Sequence, residues 1–291
     1  MNDEAWTIQR LLDWTTQFFK DKKADSPRLD AEILLAHGLD CQRIDLYTRF
    51  AEIVPDDIRS TFRDLVKRHA AGEPVAYLVG HREFYSLSFT VNKNVLIPRP
   101  ETEHLVIETL DRVNSKTGDG LQLCDVGTGS GIVAICLAKY LPKASITAIE
   151  YSPQALEVAI QNAKKLQVDS RIQFLEGNLL TQLPADVQFD AIVSNPPYIS
   201  KSEMAEVPTS VKKFEPELAL VGAGEDGGQT SRDLIDQSAP RLKSGGWMLI
   251  ETSPMLAQKL HSYVDGTGQW SSTGIAHDSA GLERIVWGKK K

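Results

Sequence analysis

Apolar residues near the start of the chain recur at the three-to-four-residue spacing that predicts amphipathic helices. The first such stripe comprises Ile8, Leu11, Leu12, Phe18 and Phe19. Ser26-Pro27 is typical of a helix start and Gly38 of a helix end, and a further helical segment runs from Pro55 to Gly72. We therefore expect a small helical bundle. Its core is predicted to contain four aromatic residues, Trp6, Trp14, Phe18 and Phe19, and a protein-docking face is the alternative role for them.

The spacing of apolar residues then changes to the strict alternation that is typical of a strand. Leu87, Phe89 and Val91 alternate with polar residues, Asn92-Lys93-Asn94 is a turn signal, and residues 95–97 are again apolar. This pattern predicts a β-hairpin formed by these two apolar segments. We expect the hairpin to be a linker over residues 82–98, between a helical domain at 1–81 and a second domain at 99–291.

The second domain alternates short apolar runs with segments of helical spacing. The predicted strands are residues 121–126, 145–150, 172–175, 190–194, 247–251 and 284–287. Helices are expected between them, and Ser152-Pro153 has the form of an N-cap followed by a first-turn proline. Alternation of this kind predicts an α/β fold with a doubly wound, mostly parallel sheet.

Charge and composition narrow the possible functions. The chain has 291 residues, with 32 Lys and Arg against 39 Asp and Glu, which gives a net charge of −7. A broad phosphate-binding surface needs an excess of positive charge, so we expect no direct contact with nucleic acid. The six histidines form no short metal-ligand pattern, and we therefore expect no metal site.

The sequence also carries signals about the cellular compartment. No apolar run approaches the ~18–20 residues of a membrane span, and the N-terminal segment lacks the pattern of a secretory signal. Cys41, Cys124 and Cys136 are odd in number and show no C-x-x-C spacing, as is common in a reducing compartment. We expect a cytoplasmic protein without a membrane partner.

A glycine-rich segment after the first predicted strand is the first candidate for chemistry. Residues 125–131 read Asp-Val-Gly-Thr-Gly-Ser-Gly, and Glu150 ends the next strand. Glycines allow a ligand to approach the backbone, a helix N-terminus binds an anion such as a carboxylate, and an acid at Glu150 can accept two ribose hydroxyls. These features suit S-adenosylmethionine, while a simple tight turn and a nucleotide cofactor stay open as alternatives.

The second candidate is Asn195-Pro196-Pro197-Tyr198, which follows the predicted strand 190–194. An amide nitrogen is a poor nucleophile because its lone pair is delocalised, so a site must hold both N–H bonds and aim the nitrogen at the methyl donor. Asn195 can accept one N–H through its side-chain oxygen, and the carbonyl of Pro196 can accept the other. The prolines fix the backbone, and Tyr198 offers a flat face to a planar group. A plain turn is the alternative.

Taken together, these segments resemble the HemK/PrmC family, the peptide chain release factor glutamine N5-methyltransferases. The resemblance covers nearly the whole chain. Besides the glycine loop and Asn195–Tyr198, it includes residues 80–85 (Gly-His-Arg-Glu-Phe-Tyr), 96–103 (Leu-Ile-Pro-Arg-Pro-Glu-Thr-Glu) and 214–216 (Phe-Glu-Pro). The stretch Ile-Pro-Arg-Pro-Glu-Thr-Glu together with Asn-Pro-Pro-Tyr is highly specific for the family.

The resemblance implies a seven-stranded, Rossmann-like, S-adenosylmethionine-dependent methyltransferase domain behind a small N-terminal helical domain that helps to dock the protein substrate. The implied methyl acceptor is the glutamine of the Gly-Gly-Gln loop in class 1 release factors, and S-adenosylhomocysteine is the product. The implied cofactor contacts are Gly127, Thr128, Gly129, Ser130, Gly131, Glu150, Asn178, Leu179 and Asn195. The implied clamp for the substrate glutamine is Asn195, Pro196, Pro197 and Tyr198, with Asn195, Pro196 and Tyr198 as catalytic residues. Phe84 and residues 99–103 are expected to line the pocket.

Three segments depart from the family pattern. Asn178 stands where the family usually carries an acid that faces the adenine amino group, and Leu179 beside it is expected to line the adenine slot. Thr252-Ser253-Pro254 follows Glu251, where the family usually has a glycine. Gly227-Gly228-Gln229 spells the expected target tripeptide inside the enzyme itself. We expect that tripeptide to be a glycine-rich loop before a helix.

Other functions share part of this pattern. A sister class of enzymes methylates a glutamine of a ribosomal protein, and N6-adenine methyltransferases use similar Asn-Pro-Pro-Tyr chemistry. A binding module that holds the cofactor without catalysis is the alternative from a different class. Residues 98–103 favour release factors, and the net charge of −7 argues against a nucleic acid substrate. We expect a monomeric enzyme that acts on release factors.

Overall fold

A computed structural model of the chain describes residues 5–113 and 120–291. Its contacts divide the chain into two compact units. One unit runs to His81 and includes Thr209–Phe214, and the other comprises Arg82–Pro208 and Glu215–Lys291. The sequence had assigned residues 209–214 to the second domain, whereas their contacts are with the helical unit.

The first unit is helical. Its helices are α1 (Ile8–Asp21), α2 (Pro27–Gly38), α3 (Arg43–Thr48), α4 (Asp56–Ala70), α5 (Val75–Val79) and α9 (Thr209–Phe214). Thr7 caps α1 by accepting a hydrogen bond from the Arg10 N–H, and α2 begins at Pro27, as predicted. The buried core includes Ile8, Leu12, Phe19, Leu34, Leu35 and Phe62.

Trp14 is not part of that core, and its prediction as a core residue is wrong. Its exposed fraction is 53%, and its ring stacks on Phe18 with 5.3 Å between ring centroids. The buried face of α1 is formed by Leu12, Thr15 and Phe19. Trp14 and Phe18 lie one turn apart on a face of α1 that adjoins the buried face. Helical spacing alone did not distinguish these two faces.

A β-hairpin does form at the start of the second unit, but its strand pairing differs from the prediction. Its strands are β1 (His81–Phe84) and β2 (Leu87–Thr90), joined by Tyr85-Ser86 with φ of 50° and 60°. Residues 95–97 are not a strand, because the N–H of Ile97 donates to the Glu215 carboxylate at 3.0 Å instead of to a neighbouring strand. The turn carries no glycine or asparagine, so the usual sequence signal is missing.

A seven-stranded sheet forms the centre of the second unit, in the order β5-β4-β3-β6-β7-β9-β8. The strands are β3 (Gln122–Val126), β4 (Ser145–Glu150), β5 (Ile172–Glu176), β6 (Phe189–Ser194), β7 (Leu242–Glu251), β8 (Trp270–His277) and β9 (Glu283–Lys290). Strands β3 to β7 are parallel, whereas β9 is antiparallel to both β7 and β8. The predicted α/β class and mostly parallel sheet are confirmed, and β8 was missed.

The connecting helices of this unit are α6 (Glu103–Val113), α7 (Ile132–Tyr140), α8 (Pro153–Lys165), α10 (Gln229–Ser238) and α11 (Pro254–Gly266). Ser152 caps α8 through its side chain, as predicted. The apolar core of the unit forms two clusters, one that contains Leu123, Ala191 and Leu249 and another that contains Val126, Ile192 and Met248. Neighbouring residues of one strand belong to different clusters, because side chains alternate between the two faces of a sheet.

Candidate active site

The two predicted chemical segments lie side by side at one edge of the sheet. Strands β3 and β6 are parallel neighbours, with Val126 paired to Ser194, so the glycine loop and Asn195 emerge next to each other. The hydroxyl of Ser194 donates to the Val126 carbonyl at 2.6 Å and holds the two strand ends together. Strand order reverses at this point, where open α/β sheets bind their ligands.

A cavity of about 560 Å³ opens at this edge. Ten of the residues predicted to bind cofactor or substrate line it: Gly127, Thr128, Gly129, Ser130, Glu150, Asn178, Leu179, Asn195, Pro196 and Pro197. Gly131 lies at the start of α7 instead, and Tyr198 packs against the apolar core on one side of the sheet. The volume is within the usual range for a site that takes a small molecule or cofactor.

The glycine loop has the backbone conformation that its sequence demands. Gly127, Gly129 and Gly131 all have positive φ, between 56° and 84°. A Cβ on Gly131 would lie 2.9 Å from the Ile135 side chain and 3.2 Å from the Ala159 Cβ, so the loop can pass this close to α8 only without a side chain. Gly127 and Gly129 line the cavity without side chains, and Gly131 allows the loop to pack closely on α8.

The side chain of Asp125, near the end of β3, fixes the glycine loop through hydrogen bonds. Its carboxylate accepts the Thr128 hydroxyl at 2.6 Å and the Ala134 N–H at 3.0 Å. Burial raises the pKa of Asp125 to about 6, because the apolar surroundings disfavour the charged form. The side chain thus ties the end of β3 to the first turn of α7.

Glu150 ends β4, the strand next to β3, and also lines the cavity. Its two carboxylate oxygens accept the Gly129 N–H at 2.8 Å and the Ser152 N–H at 2.9 Å. These bonds place the acid directly beside the glycine loop, where the sequence predicted a partner for ribose hydroxyls. An acceptor-only group at this position fits a ligand that carries vicinal hydroxyls.

Tyr151, Asn178 and Leu179 complete the wall beside Glu150. Leu179 lines the cavity with a φ of 53°, a left-handed conformation that is strained for a leucine. Tyr151 is exposed, with 60% of its surface accessible, and sequence reasoning missed it. Its position directly after the acid that ends β4 was the signal that could have identified it.

Asn195 is anchored by a residue from a distant part of the chain. Its Nδ2 donates to Oγ1 of Thr102 at 3.1 Å, and the Thr102 hydroxyl donates to Oε1 of Glu251 at 3.2 Å. Thr102 and Glu251 are 1% and 2% exposed, respectively. Burial raises the pKa of Glu251 to about 7. This arrangement leaves the side-chain oxygen of Asn195 to accept a hydrogen bond from another donor.

Two glycines allow a loop to pack onto the segment 196–198. A Cβ on Gly222 would lie 2.7 Å from the Pro197 carbonyl oxygen, and one on Gly227 would lie 2.4 Å from that of Tyr198. The Ile199 N–H donates to the Leu220 carbonyl, and the Gly222 N–H donates to the Ile199 carbonyl. The backbone of residues 197–199 is therefore packed closely against this loop. Burial raises the pKa of Tyr198 to about 12, so its phenol stays neutral.

The segment 98–103 supplies a further wall, through Pro98, Arg99 and Thr102. Glu215, which is itself buried, accepts the Arg99 guanidinium at 2.6 Å and the Ile97 N–H at 3.0 Å. Two separate motifs of the sequence, residues 96–103 and 214–216, are thus joined by one carboxylate. Phe84 does not line the pocket, contrary to the prediction, but packs in the apolar core against Phe89.

Two of the segments that depart from the family pattern, residues 227–229 and 252–254, each lead directly into a helix. Gly227 and Gly228 form the turn before α10, and the exposed Gln229 begins that helix, with its side chain donating to Asp233 at 2.7 Å. The tripeptide is therefore a loop before a helix, as expected. Thr252 is buried, and Ser253 precedes α11, which begins at Pro254.

A metal-binding cluster and a membrane-spanning helix are both absent from the described residues. Within residues 5–113 and 120–291, no group of three or more His, Cys, Asp or Glu side chains is arranged to hold a metal ion. Over the same residues, no helix has both the length and the apolar character needed to cross a bilayer.

Known proteins are similar to this chain over nearly its whole length. The family description of the PrmC N-terminal domain matches residues 10–80, and that of the methyltransferase small domain matches residues 102–213. The chain is 48% identical to the release factor glutamine methyltransferase of Rhodopirellula baltica, over 98% of this chain and 97% of that protein. The enzyme of the same name from Koribacter versatilis is 37% identical, over 98% and 99% of the two chains.

Solved structures share the fold at low identity. The catalytic domain of hMettl16, in complex with a MAT2A 3′UTR hairpin, gives a TM-score of 0.57 at 15% identity, over 77% of this chain and 80% of that chain. A T. thermophilus 16S rRNA methyltransferase in complex with AdoMet and guanosine gives a TM-score of 0.53 at 17% identity, over 72% and 50% of the chains. The predicted Rossmann-like methyltransferase fold is thereby confirmed.

Proposed function

The chain belongs to the family of release factor glutamine methyltransferases, and from this membership we propose the details of its reaction. It transfers a methyl group from S-adenosylmethionine to the side-chain amide nitrogen, N5, of the glutamine in the Gly-Gly-Gln motif of class 1 peptide chain release factors. The single observation that carries this proposal is the position of Asn195, beside the glycine loop and with its side-chain oxygen available as an acceptor.

The residues around the cavity fit S-adenosylmethionine. The glycine loop, residues 127–131, allows the amino acid end to approach the backbone closely, and Glu150 offers its carboxylate to the ribose hydroxyls. Asn178, Leu179 and Tyr151 form the wall for the adenine, with the side-chain oxygen of Asn178 accepting from the amino group. When bound, the cofactor supplies a methyl group made electrophilic by a positively charged sulfur.

The substrate amide is held by Asn195 and Pro196. The Asn195 Oδ1 and the Pro196 carbonyl each accept one N–H of the glutamine, which directs the nitrogen lone pair at the methyl group. Tyr198 packs against the apolar core and anchors the segment that carries the two prolines. Catalysis is then mainly positioning, because holding reacting groups in line removes most of the entropic part of the barrier. The amide proton becomes acidic once nitrogen is alkylated, so no strong base is needed beforehand.

The two units have separate tasks in this proposal. The N-terminal helical unit, residues 1–81, helps to dock the release factor, the hairpin over 82–98 links it, and the domain at 99–291 carries out the transfer. We further propose a monomeric enzyme without direct contact to nucleic acid. Because its protein substrate acts in translation, the enzyme works in the cytoplasm.

Transfer of a labelled methyl group to a purified release factor tests this function. The release factor is supplied with its natural Gly-Gly-Gln loop and, as a control, with the glutamine replaced by alanine. Asn195→Ala is run beside the wild type, and binding of the cofactor to both enzymes is measured by calorimetry. Label on the natural factor alone, lost in Asn195→Ala although the cofactor still binds, is the expected result. Label on a ribosomal protein or on DNA instead would overturn the release factor assignment.

A further inference from the structure

Two buried polar side chains, Thr102 and Glu251, lie behind Asn195 and have no part in the reaction as described so far. Hydrogen bonds of 3.1 and 3.2 Å join Asn195 to Thr102 and Thr102 to Glu251 as one network. Thr102 and Glu251 are 149 residues apart in sequence and almost completely buried. A buried carboxylate is unfavourable unless it is well paired, so its presence behind the active site calls for an explanation.

The direction of the hydrogen bonds follows from the charge of Glu251. An ionised carboxylate can only accept, and a hydroxyl has a single proton to donate. When Glu251 is ionised, the proton of Thr102 therefore points to Glu251, which leaves the Thr102 oxygen as an acceptor toward Asn195. Only the Nδ2 end of the Asn195 amide can satisfy that acceptor. The Oδ1 end is consequently turned the other way.

We propose that Thr102 and Glu251 are positioning residues that fix the orientation of the Asn195 amide, so that its oxygen faces the substrate glutamine. This inference rests on the proposed function and adds two residues to the clamp that it describes. If the Asn195 amide were rotated by half a turn, it would present N–H groups to the N–H groups of the substrate. The clamp would then repel the amide that it has to hold.

The Glu251 carboxylate has few hydrogen bonds to offset the cost of removing it from water. We infer that Glu251 does not serve to stabilise the fold. Among residues 5–113 and 120–291, Oε2 of Glu251 is buried without a hydrogen-bond partner, and Oε1 accepts from the Thr102 hydroxyl. Of the charged groups around it, Arg284 on β9 favours the ionised form, whereas Glu101 opposes it. Burial dominates and raises the pKa of Glu251 to about 7. A protonated Glu251 can donate to Thr102, and the direction of the network is then lost.

The test compares isosteric changes at two buried threonines. Thr102→Val removes the acceptor for Asn195, whereas Thr102→Ser keeps the hydroxyl. Thr109→Val makes the same change on α6, where the buried hydroxyl only donates to the Leu105 carbonyl. We expect Thr102→Val to lower kcat for release factor methylation by about 10- to 100-fold, as misplaced reacting groups do. Thr102→Ser is expected to recover most of kcat, Thr109→Val to retain it fully, and the Kd for S-adenosylmethionine to stay within about twofold in all three.

The dependence of kcat on pH provides a readout that a merely structural role would not change. The wild type should lose activity as the pH falls through about 7, and Glu251→Gln, which has no titrating group, should have a lower kcat without this acidic limb. If Thr102→Val does not fold, as judged by circular dichroism, this pH profile decides the question. A wild-type profile in Glu251→Gln, or equal kcat in Thr102→Val and Thr102→Ser, would overturn the inference. Absence of transfer by the wild-type enzyme would instead refute the proposed function.

Discussion

Replacing Gly222 by alanine should disturb the substrate clamp without touching any side chain of the active site. Gly222 lies in the loop that packs behind Pro197 and Tyr198, and its N–H donates to the Ile199 carbonyl at 3.0 Å. A Cβ at this position would lie 2.0 Å from the Gly227 carbonyl oxygen and 2.7 Å from that of Pro197. Both are backbone atoms, so the conflict cannot be relieved by rotation of a side chain.

The size of the effect follows from these distances. Ordinary van der Waals contact begins at 3.4 Å, so the Gly227 carbonyl must retreat by 3.4 − 2.0 = 1.4 Å and the Pro197 carbonyl by 3.4 − 2.7 = 0.7 Å. Overpacking of this kind destabilises a protein by about 1–3 kcal/mol. A displacement of about 1 Å in a positioned group lowers the rate by about 100-fold. We therefore expect Gly222→Ala to lower kcat by about 10- to 100-fold.

The assay is methyl transfer to a release factor, together with thermal unfolding and calorimetry of cofactor binding. Gly266→Ala is the matched control, because a Cβ there meets no atom within 4 Å and the residue lies at the end of α11. This control should keep full activity and melt at or slightly above the wild-type temperature, since alanine favours a helix more than glycine does. If Gly222→Ala were as active and as stable as Gly266→Ala, the packing argument would be refuted.

Three further predictions concern buried or partly buried acids. Glu150→Gln should raise the Kd for S-adenosylmethionine by about tenfold in calorimetry, as expected for the loss of a charged hydrogen-bond acceptor, whereas Glu157→Gln on the exposed face of α8 should leave it unchanged. Glu215→Ala should lower the free energy of unfolding by about 1–3 kcal/mol in denaturant titrations, because it leaves Arg99 without its partner, and Glu215→Gln should lose less. The pKa of Glu251 is raised from 4.5 to about 7, so the folded state binds more protons than the unfolded state between these values, and stability falls as the pH rises through them. Glu251→Gln should therefore be more stable than the wild type at about pH 8, by up to about 3 kcal/mol, and this gain should disappear at about pH 5.

Much of the second unit could be predicted from the sequence, because its signals are local. Apolar runs, proline at the first turn of α8 and glycines at positive φ each depend on a few neighbouring residues. Both Asn195 and the glycine loop were placed at a strand end, and parallel strands bring such ends together at one edge. The position of the candidate site followed from this rule alone.

Features that depend on distant contacts were missed or wrong. The hairpin was paired incorrectly because Tyr85 and Ser86 adopt left-handed conformations without the residues that usually signal them. Strand β8 (Trp270–His277) is mostly polar and partly exposed, so it lacks the apolar alternation of a half-buried strand. Nothing near Thr102 in the sequence points to Glu251, since the contact arises only when β7 is in place. Such contacts require the fold itself.

The order of strands at one side of the sheet has a consequence for the folding of the chain during synthesis. Strand β9 lies between β7 and β8 and pairs with both. Because β8 is made first, it has no partner in the sheet until the ribosome has also produced β9. Strand β7 carries Glu251. Arg284, whose positive charge favours the ionised form of that carboxylate, lies on β9. A nascent chain that already contains the glycine loop, Asn195 and Glu251 therefore still lacks the electrostatic surroundings of its own active site.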